Sequence, residues 1–214
     1  MKHKAPDDIG QLLGVLGHLY DHTLKKHGPS APGVLWKDAD AQVLRLEVLL
    51  STVGAEDLNG PITVNDLGCG YGALFDLLKD DPMMRDGRYF GYDISPAMVR
   101  AARARHADPR AAFFESPVAT ERADYSFVSG AYNMNLGADT NMWGDYVRNN
   151  LTRLWERTGK ALAFNMLDSR AKTRIDDLYY ADAATFLDFA KSLSPHVEYV
   201  DDYPLDEFTI RVRR

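Results

Sequence analysis

Residues 65–72, with the sequence NDLGCGYG, place one carboxylate beside three glycines, and a second carboxylate, Asp93, follows twenty-one residues after Gly72. Glycines lack a Cβ, so a ligand can approach the backbone amides of such a loop closely. A carboxylate that ends the next strand can accept hydrogen bonds from both hydroxyls of a ribose. These residue types at this spacing predict a nucleoside-binding site.

An alternation of strands and helices is predicted to position these residues. ITVNDL precedes the glycines and the helical pattern ALFDLLK follows them, while Asp93 closes RYFGYDI ahead of a helix capped by Ser95 with Pro96 at its first position. The other predicted strands are AAFFES, YSFVSG, KALAFNML and a pair within HVEYVDDYPLDEFTIRVRR. The pattern predicts an α/β fold: a doubly wound, mostly parallel seven-stranded sheet with an antiparallel C-terminal strand pair and an N-terminal helical cap.

The N-terminal part is predicted to be a separate layer. Apolar spacing indicates a helix over 7–27 and a second helix that starts at Asp38, as its cap, and runs to about Val53. Three glycines interrupt the first helix, and the strip after it ends in apolar residues that need cover, including Trp36. We therefore divide the chain into a helical cap or lid, 1–60, and a cofactor-binding core, 61–214. The alternative is a helix that is permanently docked and only completes the core.

Two classes of ligand fit the glycine loop. Gly68, Gly70 and Ala73 also satisfy the dinucleotide pattern G-x-G-x-x-G/A. The Asp66 carboxylate would lie unfavourably close to a bound pyrophosphate, but it would attract a ligand that carries an ammonium group. S-adenosylmethionine has an ammonium group, a cationic sulfonium and no phosphate, so it is the preferred cofactor.

The motifs DLGCGYG, GYDISPAMVRAA and DYSFVSG resemble the successive motifs of class I S-adenosylmethionine-dependent methyltransferases. The resemblance covers about residues 62–166. It implies that Asp66 and the glycine backbone hold the methionine portion, that Asp93 binds the ribose, and that two apolar residues flank the adenine. The cofactor-binding residues predicted on this basis are Asp66, Gly68, Cys69, Gly70, Asp93, Ile94, Met98 and Gly130. The family often has an acid after the third strand for the adenine amine, but this chain has FESP at 114–117.

The segment after the fourth predicted strand supplies candidates for the acceptor site. Tyr132 could lay its ring near the sulfonium, and Asn133 and Asn135 could orient an acceptor, unless the two amides only close a turn. His22 is the candidate general base, with His27 as the alternative. Arg45 is a candidate partner for the cofactor carboxylate, with a solvent-facing position as the alternative. His18 and His22 share a helix face, but no third metal ligand is identifiable, so no metal site is predicted.

Composition limits the partners. The formal charge is −6, so nucleic acid is not the expected partner. No export signal or membrane span is recognisable, and one cysteine excludes an internal disulfide, which together favour a cytoplasmic protein. We expect a methyltransferase acting on a small molecule, with homodimerisation left open. The alternatives are an enzyme that cyclises the aminobutyryl chain of the same cofactor, a noncatalytic binding module, and a nicotinamide-dependent oxidoreductase.

Overall fold

The computed structural model describes residues 8–214, which form a seven-stranded sheet with helices on both faces. The strands are β1 (Thr63–Leu67), β2 (Arg88–Asp93), β3 (Ala111–Glu115), β4 (Ala123–Ser129), β5 (Thr158–Leu167), β6 (His196–Val200) and β7 (Glu207–Arg213). Their order is β3-β2-β1-β4-β5-β7-β6. Strands β1 to β5 pair in parallel, whereas β7 runs antiparallel to both of its neighbours. The predicted α/β fold and its reversed C-terminal strand are confirmed.

Six α-helices surround the sheet in the described residues: α1 (Ile9–His27), α2 (Ala39–Leu50), α3 (Ala73–Leu78), α4 (Pro96–Arg105), α5 (Thr140–Glu156) and α6 (Ala183–Leu193). The side chains of Asp8, Asp38 and Ser95 cap α1, α2 and α4 by accepting a backbone N–H from the first helical turn. Helix α1 ends at His27, as predicted, with Gly28 as its C-cap, and α2 ends three residues before the predicted Val53. None of the helices in residues 8–214 is long and apolar enough to cross a membrane.

Two apolar clusters cover the faces of the sheet. Successive side chains of β5 divide between them, with Ala163 in one and Phe164 in the other, because strand residues alternate in direction. Helices α5 and α6 contribute to the cluster of Phe164, and α2, α3 and α4 contribute to the other. Leu12 and Leu16 of α1 are almost fully buried in the cluster of Phe164, so the N-terminal helix takes part in the main core.

Helix α1 is also attached to the start of α4 by a polar contact. The Asp21 carboxylate accepts hydrogen bonds from Ser95 Oγ at 2.5 Å and from the Ala97 amide at 3.2 Å. Gly17 of the same helix approaches so closely that a Cβ there would lie 3.3 Å from the Ile94 carbonyl oxygen. The N-terminal helix is therefore held across the end of β2, where Asp93 lies.

Candidate active site

A cavity of about 970 Å³, its mouth included, opens at the carboxyl ends of the parallel strands. Such an edge is where open α/β sheets bind their ligands. Its floor is formed by residues 66–71, 73 and 74 with the ends of β2, β3 and β4, and its cover comes from the N-terminal segment. The covering residues are Leu13, Leu16, Tyr20, Val34, Trp36, Gln42 and Leu46. Helix α5 closes one side with Trp143, Tyr146 and Asn150.

The loop after β1 is tied to β2 by its backbone. The amides of Gly68 and Cys69 both donate to the Tyr92 carbonyl oxygen, at 2.8 and 3.0 Å. Gly68 has φ +81°, and a Cβ there would overlap the side chain of Ala131. Glycine is therefore required at this position both by the left-handed backbone and by the close approach of the segment after β4.

Asp93 joins the loop to the end of β2. Its Oδ2 accepts the Gly70 amide at 2.9 Å, and its Oδ1 accepts the Ser95 amide at 2.8 Å. Burial nevertheless raises the pKa of Asp93 to about 6. Each carboxylate oxygen can accept a second hydrogen bond, so the side chain can still bind two hydroxyl groups of a ligand.

Asp66 is the second buried acid of the cavity. It is 3% exposed and accepts a hydrogen bond of 2.5 Å from the Tyr89 hydroxyl. Burial, despite this hydrogen bond, raises the pKa of Asp66 to about 7. Among the described residues that line the cavity, two are acidic and none is Lys, Arg or His. A cationic ligand would relieve the cost of holding both carboxylates out of water.

Trp36 covers the cavity and packs against the segment after β4. A Cβ on Gly130, which has φ +64°, would overlap the Trp36 ring, so the indole rests directly on the backbone after β4. The Arg45 guanidinium lies 4.0 Å from the centroid of the same ring. Val34 approaches the glycine loop in the same way, since its Cγ1 would lie 3.0 Å from a Cβ on Gly70.

A family model described as a methyltransferase domain matches residues 64–152. The Mycobacterium tuberculosis protein named "Putative methyltransferase Rv1506c" is 40% identical over 158 residues, which is 72% of this chain and 94% of the relative. The chain belongs to the class I S-adenosylmethionine-dependent methyltransferases. The recognition made from its sequence motifs is confirmed.

Solved methyltransferase structures share the fold at low sequence identity. The 1,6-didemethyltoxoflavin-N1-methyltransferase of Burkholderia thailandensis, with bound 1,6-didemethyltoxoflavin and S-adenosylhomocysteine, is 17% identical. Its match covers 100% of this chain and 93% of that chain, with a TM-score of 0.67. The magnesium protoporphyrin IX methyltransferase of Synechocystis, with bound S-adenosylmethionine, is 15% identical, with coverage of 81% and 79% and a TM-score of 0.58.

Most residues predicted to bind the cofactor line the cavity of this methyltransferase. They are Asp66, Gly68, Cys69, Gly70, Asp93, Ile94, Met98 and Gly130. Tyr132, predicted for the acceptor site, lines it as well, and its buried hydroxyl has no hydrogen-bond partner. Burial raises the pKa of the Cys69 thiol well above its usual value, so this cysteine stays protonated. Its side chain packs against Gly91.

The structure corrects the prediction for Arg45, which does not line the cavity. Its Nε donates to Glu207 Oε1 at 2.6 Å, and both side chains are buried. A buried guanidinium needs a carboxylate partner, and β7 provides one in this chain. Arg45 therefore packs on the Trp36 ring and pairs with Glu207 instead of reaching a cofactor carboxylate.

Asn133, Asn135 and His22 also lie outside the cavity lining. Asn133 Oδ1 accepts the Leu167 amide at 3.3 Å, and Asn135 bonds within its own turn to the Gly137 amide and the Ala138 carbonyl. The alternative of turn-closing amides therefore describes Asn135, whereas Asn133 joins its loop to the end of β5. His22 is exposed on the outer face of α1, as is His18, and no third ligating side chain joins them in residues 8–214.

Sequence reasoning missed the part of the wall that comes from α5. Asn150 lies on the apolar stripe of that helix, seven residues after Trp143 and four before Leu154, and it is 4% exposed. A polar side chain on an otherwise apolar helix face is the signal that could have identified it. Tyr20 also lines the cavity, but the sequence identified it only as part of the amphipathic pattern of α1.

Asp66→Asn is expected to stabilise the unliganded protein. The pKa of Asp66 rises on folding from 3.8 to about 7, so its contribution to stability decreases as the pH rises from about 4 to about 7. Asparagine stays neutral and its oxygen can still accept the Tyr89 hydroxyl. We expect the midpoint of thermal unfolding at pH 8 to rise by at least about 2 °C, a gain that narrows toward pH 4. A loss of stability at pH 8 would contradict this origin of the pKa shift.

Proposed function

We propose that the cavity binds S-adenosylmethionine and that the protein transfers its methyl group to a small, uncharged acceptor. Asp66 would bind the ammonium group, the backbone of Gly68 and Gly70 would hold the methionine portion, and Asp93 would accept both ribose hydroxyls. Ile94 and Met98 line the cavity beside Asp93 and would flank the adenine.

One observation carries this proposal: two buried carboxylates face a cavity that has no cationic side chain among its described lining residues. S-adenosylmethionine brings an ammonium and a sulfonium to such a site. A nicotinamide dinucleotide would instead bring a pyrophosphate, whose negative charges would lie near Asp66 and Asp93 without a compensating cation. The geometry therefore favours the methyl donor over a dinucleotide.

The same charge pattern indicates the class of acceptor. The walls carry seven aromatic side chains: Tyr20, Trp36, Tyr71, Tyr92, Tyr132, Trp143 and Tyr146. An acceptor with a carboxylate or phosphate would lose hydration without gaining an ion pair in this cavity. A flat, uncharged molecule would gain apolar contact with the aromatic walls. We therefore favour an uncharged, largely apolar metabolite.

The catalytic contribution of the protein would be positioning. When bound, S-adenosylmethionine supplies an activated methyl group on its sulfonium. Trp36, Tyr20 and the α1 backbone would exclude water, and the aromatic walls would align the acceptor for in-line displacement. No cavity-lining residue in 8–214 is a histidine or lysine, so the acceptor would need to be nucleophilic without a strong base.

Residues 1–60 would act as a cover that opens for ligand exchange, with 61–214 as the binding core. Residues 1–7 of this cover lie outside the described part of the chain. In the described part, Leu12 and Leu16 pack in the core and Trp36 lines the cavity. Leu35 adopts φ +65° beside Trp36, a strained backbone position that suits a hinge. We place the hinge in residues 28–37.

The cover predicts a ligand-dependent pattern of proteolysis. Lys26 lies just before the hinge and Lys37 is its last residue, and both side chains are exposed. We expect trypsin to cleave there in the free protein and S-adenosylhomocysteine to slow this cleavage at least about fivefold, because binding selects the closed cover. Mass spectrometry of the fragments measures it, and cleavage at the exposed Lys172 is the internal control. Equal protection at all three lysines, or none, would contradict a moving cover.

Thermal unfolding with candidate ligands tests the proposed cofactor. A ligand at 100 times its dissociation constant stabilises by about 2.7 kcal/mol, which is about 5–10 °C for a chain of this size. We expect this shift with S-adenosylhomocysteine and none with NAD; the reverse would overturn the proposal.

Transfer assays with matched acceptors test the acceptor class. In each pair, an uncharged aromatic alcohol or amine is compared with its carboxylated counterpart, and we expect turnover only of the uncharged member. Preference for the carboxylated members would contradict the acceptor class. Consumption of S-adenosylmethionine without any acceptor would instead identify intramolecular cyclisation.

A further inference from the structure

Asn150 on α5 has a carboxamide oxygen with no partner. The side chain is 4% exposed and belongs to the cavity wall. Its Nδ2 donates to the Pro117 carbonyl oxygen at 2.9 Å and lies 3.1 Å from the Tyr146 hydroxyl. A carbonyl oxygen only accepts hydrogen bonds, so Pro117 fixes which end of the amide is nitrogen. Oδ1 is thereby left buried and unpartnered, which is costly unless a ligand donates to it.

The position of Asn150 in the fold indicates which part of a ligand it meets. Asp93 pairs with Glu115 of β3 in register, and the Ser116 amide donates to the Asp93 carbonyl oxygen at 2.9 Å. Pro117, the partner of Asn150, comes next in the chain. The glycine loop lies on the other side of Asp93, after β1. If a ribose binds at Asp93 with the amino-acid chain toward β1, its base extends toward Pro117 and Asn150.

Other side-chain acceptors at this end of the cavity are already engaged or face away. Glu115, at the position where an acid is expected after the third strand, is exposed and does not line the cavity. The Ser116 hydroxyl bonds to the carbonyl and amide of Val118. Burial raises the pKa of the Tyr146 phenol, so that group stays protonated and available as a donor.

We infer that Asn150 recognises the base of the cofactor, its Oδ1 accepting an N–H of the exocyclic amine of adenine. This role would replace that of an acid after β3, and it rests on the proposed function. Asn150 would be a specificity residue: it would favour an amino group and disfavour a carbonyl group at the same position of the base. Its contact with Pro117 would keep the amide from rotating to suit the carbonyl.

A pair of ligands that differ at this one position tests the inference. S-adenosylhomocysteine carries the amine and S-inosylhomocysteine carries a carbonyl oxygen instead. We expect the native protein to bind the adenosyl ligand at least about tenfold more tightly, and Asn150→Ala to reduce that ratio by about tenfold. Calorimetric titration measures both affinities. Asn149→Ala, which removes an exposed amide from the same helix, should leave the ratio unchanged.

The outcomes separate this inference from the proposed function. If the native protein binds neither ligand, the proposed function fails. If it binds S-adenosylhomocysteine but Asn150→Ala keeps the native ratio, Asn150 does not recognise the base, and a raised KM for the acceptor would place it in the acceptor site instead. If Asn150→Ala does not fold, the native ratio decides: equal affinities for the two ligands overturn the inference, and a tenfold preference supports it.

Discussion

Asp93→Ala is expected to weaken S-adenosylhomocysteine binding about hundredfold while leaving the fold intact. If Asp93 binds the ribose as proposed, the substitution would remove two charge-assisted hydrogen bonds, a loss on the order of 3 kcal/mol. It also frees the amides of Gly70 and Ser95, which the carboxylate now holds at 2.9 and 2.8 Å, so the glycine loop would lose part of its preorganisation. Calorimetric titration measures the affinity, and circular dichroism verifies the fold.

Glu115→Ala is the matched control for this substitution. Glu115 is the register partner of Asp93 at the same edge of the sheet, but its carboxylate is exposed and lies outside the cavity lining. Its removal changes the net charge by the same amount and should alter the affinity by less than about twofold. Unchanged affinity in a folded Asp93→Ala protein, or an equal loss in both variants, would contradict the ribose-binding role.

Cofactor affinity is expected to fall steeply as the pH is lowered from 8 to 5. Burial raises the pKa of Asp66 to about 7 and that of Asp93 to about 6, so both acids take up protons in this range when no ligand is bound. An ammonium group and ribose hydroxyls bind the ionised carboxylates, so each protonated acid must lose its proton when the ligand binds. Asp66 alone should cost about tenfold per pH unit below 7, about hundredfold at pH 5.

Asp66→Asn separates the two contributions to this pH dependence. The variant should bind weakly already at pH 8, because it lacks the charge opposite the ammonium group. It should also lose the decline near pH 7 and keep the one near pH 6 that belongs to Asp93. Titrations monitored by tryptophan fluorescence, with Trp36 in the cavity wall, cover the whole range. An affinity that does not change between pH 8 and pH 5 would show that neither carboxylate titrates at the binding site.

The sequence was sufficient for those parts of the site that follow directly from topology. Asp66 and Asp93 end or nearly end adjacent parallel strands, so their convergence at one edge needs only the strand pattern. The glycines of the loop were predicted for the same reason. Asp38 and Ser95 were also predicted correctly as helix caps, since a cap depends on residues within one turn.

Contacts between distant segments could not be predicted in this way. Arg45 was predicted to bind the cofactor. Its actual partner, Glu207, lies 162 residues further along the chain, and the sequence pattern does not show that the two side chains meet. Asn133 follows a strand that reaches the cavity, yet the path of the loop turns its side chain toward the Leu167 amide. The unpartnered oxygen of Asn150 could be recognised only from the packing of α5 against the turn at Pro117.

A crystal structure of the protein with S-adenosylhomocysteine tests the central proposal most directly. We expect both ribose hydroxyls within about 2.6–3.0 Å of the Asp93 carboxylate, the ammonium group beside Asp66, and Trp36 closed over Gly130. The base should lie beside Ile94 and Met98 and extend toward Pro117 and Asn150. A ligand that places its ribose away from Asp93, or a ligand bound outside this cavity, would contradict the proposed site.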